Sequence, residues 1–384
     1  MVALDISSLT FETHTTGLSL LNSAKCYRTT GSTSKQGLVL LIAHGTGYHK
    51  EHWEPTIEQL FVLDSQHPSR TPHIRECWAI DAQNHGEAAL LNEQVIRERP
   101  ETWSSWDYAD AFVTLRRDIL GADPSYRETK FVLVAHSAST TAAILTTTFF
   151  PLPVLQTQNI FHSLILIEPA IVPGPAFLDF SRHTPLLQTM TRLMAKRKDT
   201  WASKEEARAW LAEKMPWGMW DARVLDRYVE YGLGQQSEGA VTLRCARRTE
   251  SLAYERGLRQ SLPALWQLNL LCTANAHIGE SDQMALELTS KASKPGGSHR
   301  PVIPIHVLWG DIDDLFSREM KDGLEDPEQG RVFTSVRRVE DVGHMMVQTS
   351  PEATAKAIWD ILWDSVKDVR LDSREDGSQM RSRL

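Results

Sequence analysis

Short apolar runs, each closed by a turn signal, constrain this chain more than any other feature. Gly37-Leu-Val-Leu-Leu-Ile-Ala43, Phe131-Val-Leu-Val-Ala135 and Ser163-Leu-Ile-Leu-Ile167 are too short for full helices. They are also continuously apolar rather than alternating, as strands buried on both faces are. Glu76-Cys-Trp-Ala-Ile80, Ile303-Pro-Ile-His-Val-Leu-Trp309 and Val332 to Val339 extend the series, with Pro304 at the beginning of its strand. Helical patterns lie between them at Glu54 to Leu63 and Tyr108 to Leu120, and a last one runs from Pro351 to Val369. Strands alternating with helices predict right-handed βαβ units and a mostly parallel sheet flanked by helices. The Ser- and Thr-rich first 35 residues carry a weaker signal for an antiparallel strand pair.

From about Val172 to Arg300 the pattern changes. Pro173-Gly-Pro175 and Lys294-Pro-Gly-Gly-Ser298 bracket the stretch as loops. Its interior reads as helices at Pro185 to Lys196, Lys204 to Lys214, Ala222 to Gly232 and Leu262 to Ala274, without strand alternation. The expectation is a helical cap over 172–300, inserted into an α/β core made of 1–171 and 301–371. The polar residues 372–384 are expected to form a mobile tail. Trp201, Trp210, Trp217 and Trp220 crowd one part of the cap. Ordinary packing and the wall of a large apolar pocket both account for them.

Composition narrows the class. Apolar residues make up 41% of the 384, enough for a sizeable core, and a net charge of -8 without a basic stripe argues against nucleic-acid binding. Cys26, Cys77, Cys245 and Cys272 are scattered, with no CxxC and no Cys/His cluster, which argues against a disulfide framework and a structural zinc. No apolar run approaches the ~20 residues of a membrane span, and Met1-Val-Ala-Leu-Asp5 does not read as a secretory signal. A soluble, intracellular protein without metal or cofactor is expected.

The chemistry-bearing signals follow the strands. Val132-Leu-Val-Ala-His-Ser-Ala-Ser139 runs an apolar strand into Ser137 among small residues, and a helix begins at once. That is the strand–turn–helix setting of a nucleophile elbow, with Ala135 and Ser139 at the two positions usually held by glycine. The plainer alternative makes Ser137 a helix cap. Ala43-His-Gly-Thr-Gly-Tyr-His49 follows the first apolar strand. Its turn can aim a backbone amide at a developing oxyanion, which makes Thr46 and Ala138 the expected donors. His44, Gly45, Gly47, Tyr48, Trp217 and Trp220 are expected to face the substrate. A plain Gly-rich turn is the alternative, and the spacing is not that of a P-loop or dinucleotide fingerprint. Val307-Leu-Trp-Gly-Asp-Ile-Asp-Asp314 and Val342-Gly-His-Met-Met346 then supply an acid and a histidine, completing the chain order Ser…Asp…His. His344 would carry the serine proton and the acid would orient the ring.

Together these motifs resemble the α/β-hydrolase superfamily over roughly residues 20–370. His44-Gly-Thr-Gly-Tyr-His-Lys-Glu-His-Trp-Glu-Pro55 looks more specifically like fungal peroxisomal α/β-hydrolases: peroxisomal lipase, hydrolases of host-selective toxin pathways and the acyl-CoA hydrolase of mycophenolic acid biosynthesis. Asp81-Ala-Gln-Asn-His-Gly86 is similar to the superfamily's Asp-x-x-x-His-Gly turn. The resemblance implies Ser137 as nucleophile, His344 as base and Asp313 as acid. In the mycophenolic-pathway relative the acid comes from the strand after the nucleophile helix, where this chain has Glu168 in Leu166-Ile-Glu-Pro169. Asp313 is the preferred acid and Glu168 the alternative. A serine at the elbow sets the chain apart from epoxide hydrolases and haloalkane dehalogenases, which attack with a carboxylate.

Ser382-Arg383-Leu384 matches the small-basic-leucine address read by the peroxisomal import receptor. A serine hydrolase in that compartment is expected to meet acyl-CoA thioesters, through an acyl-serine intermediate. Lys196-Arg-Lys198 reads first as a solvated helix end and second as a contact for CoA phosphates. A carboxylester lipase, a biosynthetic cyclase or acyltransferase, and a non-catalytic binding protein remain the other classes. Acyl group, pathway and oligomeric state, a homodimer included, stay open.

Overall fold

The computed structural model describes residues 2–15, 17–67, 74–99, 104–173, 180–236, 239–273 and 301–364. The loop residues 174–175 and 294–298, the tail 372–384 and the tripeptide Ser382-Arg383-Leu384 lie outside them.

Eight strands form one sheet. They are β1 (Leu4–Thr13), β2 (Leu20–Thr29), β3 (Leu38–Ala43), β4 (Ile74–Ile80), β5 (Lys130–His136), β6 (Ser163–Ile167), β10 (Ile305–Gly310) and β11 (Ser335–Val339), in the order β1-β2-β4-β3-β5-β6-β10-β11. β1 and β2 are antiparallel, as are β2 and β4. Every pairing from β4 to β11 is parallel. All residues of β3, β4, β6 and β10 are buried, which is why those runs show no polar alternation. β11 alternates half-buried and exposed positions at the sheet edge. One apolar cluster lies on each face: Val39, Leu41, Phe131, Leu133 and Leu166 on one, Leu40, Ile42, Val132, Val134 and Ile167 on the other.

The parallel register delivers four strand ends to one edge. Ala43 pairs with Ala135, His136 with Ile167, and Ile167 with Leu308. The next residues along those strands are His44, Ser137, Glu168 and Trp309-Gly310. An open α/β sheet presents its ligand site at this carboxyl edge.

Between β6 and β10 the chain leaves the sheet. Helices Phe180–Lys196, Lys204–Ala212, Ala222–Gly232 and Arg247–Thr273 match the predicted helical stretches, the last beginning well before Leu262. The all-helical expectation is corrected at three points. β7 (Thr200–Trp201), β8 (Leu233–Gln235) and β9 (Val241–Leu243) form a small antiparallel sheet in the order β7-β9-β8. Strands of two or three residues are too short to display a period, so sequence patterning passes over them. Helix Arg247–Thr273 buries Ala264, Leu265, Leu268 and Leu271 in the same apolar cluster as Ala142, Ala143 and Leu145 of the helix behind Ser137. Arg227 reaches Glu54 at 2.6 Å, tying helix Ala222–Gly232 to the core.

Candidate active site

Ser137 stands at the turn between β5 and helix Ser139–Leu145 with φ +58. A β-carbon in that region is strained at about 1–3 kcal/mol, held here by its surroundings. The Ser137 amide donates to the Ile167 carbonyl at 2.9 Å. The Ser139 hydroxyl accepts from the His136 amide at 3.0 Å and lies 3.1 Å from the Ala43 carbonyl, so the serine in the second glycine position ties the turn together. Gly45 shows why bulk is excluded: a β-carbon there would stand 3.1 Å from the Ser137 β-carbon.

His344 Nε2 lies 2.9 Å from Ser137 Oγ, and its Nδ1 lies 3.2 Å from Glu168 Oε2. Those neighbours assign the proton to Nδ1 and leave Nε2 as acceptor. Glu168 is fully buried and has φ +47, a second left-handed non-glycine residue at the same edge. Its other oxygen accepts from the Gly310 amide at 2.6 Å.

The preference for Asp313 is therefore corrected. Asp313 is turned to Arg318 at 3.1 Å and Lys321 at 3.2 Å, and its side chain is 28% exposed. Burial, which raises a carboxyl, is outweighed there by Lys321 and Arg318, and Asp313 sits below its usual range. The neighbouring Asp314 has a role the sequence reading missed. Its carboxylate accepts from the His344 amide at 2.9 and 3.1 Å. It also occupies the space a β-carbon on Gly343 would need. His136, beside the serine, lies with Nε2 2.8 Å from the His344 carbonyl, so both ends of the His344 peptide unit are held. Burial, with His344 nearby, lowers His136 to about 3, so it acts as a neutral donor. Its place next to Ser137 was a signal; for Lys321, a lone lysine on a late helix, there was none.

The glycine-rich turn is built from its histidines. His44 was expected to face substrate and does not: Nδ1 lies 2.8 Å from the Gly45 carbonyl and Nε2 accepts from the Ala82 amide at 3.0 Å. Burial holds it near 4, so it stays neutral. Gly45 packs on the elbow, and Gly47 (φ +84) has the Glu250 carboxylate over it, 2.5 Å from where a β-carbon would sit. Tyr48 is half-buried, its ring 6.3 Å from His136 and 5.6 Å from Trp220. The Gly47 amide donates to His85 Nε2 at 2.9 Å. Among the described residues, the amides of Thr46 and Ala138 meet no acceptor within the protein. Ala138 directly follows Ser137, and Thr46 follows Gly45, whose backbone packs against the Ser137 β-carbon.

In the inserted segment Trp201, Trp210, Trp217 and Trp220 form a chain of rings 5.8 to 6.5 Å apart. Trp217 and Trp220 are 9% and 7% exposed, so packing describes them, and Trp220 is the one that reaches Tyr48. Of the basic run, Arg197 is turned inward to Glu250, and Lys198 pairs with Glu206 at 3.0 Å. Cys26, Cys77, Cys245 and Cys272 are buried and unpaired. No described helix is long and apolar enough to cross a membrane.

Comparison with known proteins agrees with this architecture. A model of the alpha/beta hydrolase family matches residues 39–357. The yeast Saccharomyces cerevisiae protein described as peroxisomal membrane protein LPX1 is 29% identical over 177 residues, 46% of this chain and 40% of the relative. That match therefore spans less than half of the curated relative. Among solved structures, the peroxisomal alpha-beta-hydrolase Lpx1 of the same yeast superposes with a TM-score of 0.67 at 14% identity, covering 100% of this chain and 99% of its own. E-2-(acetamidomethylene)succinate hydrolase gives 0.59 at 16% identity over 92% and 98% of the two chains. A thioesterase domain from the curacin biosynthetic pathway gives 0.53 at 14% over 93% and 99%. At these identities the superpositions speak for the fold alone.

Proposed function

Because the chain belongs to the α/β-hydrolase family, we propose that it is a serine hydrolase that cleaves an acyl thioester, an acyl-CoA, through an acyl enzyme on Ser137. The observation that carries this reading is the 2.9 Å contact between Ser137 Oγ and His344 Nε2, with Glu168 behind the ring. His344 takes the hydroxyl proton as Oγ attacks the carbonyl carbon. The oxyanion meets the amides of Thr46 and Ala138. The imidazolium, held by Glu168, returns the proton to the departing thiolate. Water, deprotonated by the same imidazole, then attacks the acyl-serine, and the imidazolium returns that proton to Ser137 Oγ as the acid departs. The inserted segment serves as the cap over this edge, with Tyr48 against the acyl group and Trp220 behind it.

The thioester preference is supported by the proposed setting. Peroxisomal location is favoured by the printed name of the yeast relative. Carboxylester hydrolysis uses the same groups and is the competing reading.

The test is a panel of acyl-CoA thioesters and p-nitrophenyl esters assayed with wild type and Ser137→Ala. Turnover of at least one acyl-CoA, lost by on the order of 10⁴-fold in Ser137→Ala with the fold intact, is expected. Retained turnover in that variant overturns the serine mechanism. Esters cleaved with every thioester refused overturn the substrate class alone.

A further inference from the structure

Lys321 has no part in the mechanism above, yet its ammonium is fully buried at the back of the Glu168 carboxylate. It comes from helix Arg318–Glu325 and donates to the Gly310 carbonyl at 2.8 Å. From there Nζ stands 3.4 Å from Glu168 Oε1 and 3.2 Å from Asp313 Oδ1. Gly310 is gripped on both sides, its amide on Glu168 and its carbonyl on Lys321. A β-carbon on Gly310 would run into the Val342 carbonyl, on the segment leading to His344. The preferred acid of the sequence, Asp313, and its alternative, Glu168, are thus joined through one cation.

We propose that Lys321 is the positioning residue of this site: it holds the Glu168 carboxylate in place and aimed at His344, while Asp313, at the acid position of the superfamily motif, serves as the counter-charge of Lys321. The inference rests on the serine-hydrolase reading and deepens it. A carboxylate buried without a counter-charge takes up a proton rather than staying ionised. The Gly310 amide and the His344 Nδ1–H are both neutral donors, so full burial of Glu168 calls for a cation close by. An unbalanced lysine would in turn repel the imidazolium that forms on His344. Asp313 removes that conflict by drawing the lysine charge toward the surface, where Arg318 also meets it. The remaining groups facing His344 leave this balance in place. His136 is neutral, Phe316 packs edge-on at 5.0 Å, and Asp314 is engaged by the His344 and Leu315 amides.

The role can be separated from simple packing by a double-mutant cycle. kcat/KM against pH is measured for wild type, Glu168→Gln, Lys321→Met, Asp313→Asn and the Glu168→Gln/Lys321→Met double variant, on whichever substrate the panel identifies. Ser137 labelling by a fluorophosphonate and thermal unfolding are followed in parallel. Glu168→Gln is expected to lose on the order of 10³- to 10⁴-fold. Lys321→Met loses about 10- to 100-fold in the presence of Glu168 but less than about threefold on top of Glu168→Gln, because it acts through that carboxylate. Asp313→Asn loses less than about tenfold, and its acid limb moves to lower pH by up to roughly one unit, since the imidazolium has lost a nearby negative charge. Lys321→Met costing the same in both backgrounds overturns the proposal. So does Asp313→Asn falling as far as Glu168→Gln, which would return Asp313 to the imidazole. Asp313 is partly exposed, so its pH profile decides the matter even where Lys321→Met fails to fold; an unmoved limb counts against the proposal. Failure of the serine mechanism is distinct, and shows as turnover surviving Ser137→Ala.

Discussion

His85 Nε2 accepts the Gly47 amide proton at 2.9 Å, across 38 residues of sequence. The other ring nitrogen lies 2.6 Å from Asn84 Oδ1, which assigns the proton to Nδ1 and leaves Nε2 free to accept. This bond anchors the residue next to Thr46, whose amide is one of the two proposed oxyanion donors. His85→Ala is therefore expected to lower kcat by about 10- to 100-fold while KM changes by less than about threefold, because the hole acts chiefly in the transition state. Steady-state kinetics check this; a rise in KM at constant kcat would make His85 a binding residue instead.

Gly45→Ala places a β-carbon 3.1 Å from that of Ser137 and 3.4 Å from the His136 ring and carbonyl. The elbow is backbone-limited there and cannot yield as a flexible side chain would. Overpacking of this kind costs about 1–3 kcal/mol. The variant should unfold at lower urea and lose fluorophosphonate labelling of Ser137 at least tenfold, whereas equal labelling would show that the turn absorbs a methyl group.

Arg197, just past helix Phe180–Lys196, and Glu250 of helix Arg247–Thr273 form a buried ion pair over Gly47. Burial pushes the Glu250 carboxyl up even with Arg197 beside it. Arg197→Leu strands a buried acid and is expected to cost about 3–5 kcal/mol, while Arg197→Leu/Glu250→Leu should recover most of that loss. Urea unfolding of Arg197→Leu, Glu250→Leu and the double variant measures the coupling directly. Additive losses would mean the two side chains do not stabilise one another.

Acid should unfold the protein earlier than carboxylate titration alone would. His44, His52, His85 and His136 are all held below the usual histidine value, principally by burial, with His44 at about 4 and His136 at about 3. The unfolded chain binds protons on these rings from about pH 6.5 downward and the folded chain does not. Their contribution is thus complete above about pH 6.5 and declines as pH falls toward 4, by roughly 1.4 kcal/mol per unit for each ring. Thermal midpoints should drop steeply between pH 6.5 and 5. A flat profile across that window would place these rings in water.

The strands at β3, β5, β6 and β10 and the order of serine, acid and histidine were legible because they depend on local information. A strand buried on both faces must be apolar throughout, and a sharp turn before a helix must be lined by small residues. His44, Gly45 and Gly47 were legible as a glycine-rich turn after β3 but not in their orientation. Whether a ring or an α-carbon faces ligand or protein depends on Ala82, Glu250 and Ser137, which are brought to it from elsewhere in the chain. The short strands of the inserted segment escaped because two or three residues carry no period.

The choice between Glu168 and Asp313 belonged to tertiary structure alone. Both carboxylates follow the ends of adjacent parallel strands, so the sequence determined that an acid would stand near His344 and no more. A left-handed backbone at Glu168, a glycine amide at Gly310 and the cation of Lys321 turn one carboxylate inward, while Arg318 and the same lysine keep the other at the surface. Those are long-range electrostatic and steric terms, and a linear motif does not contain them.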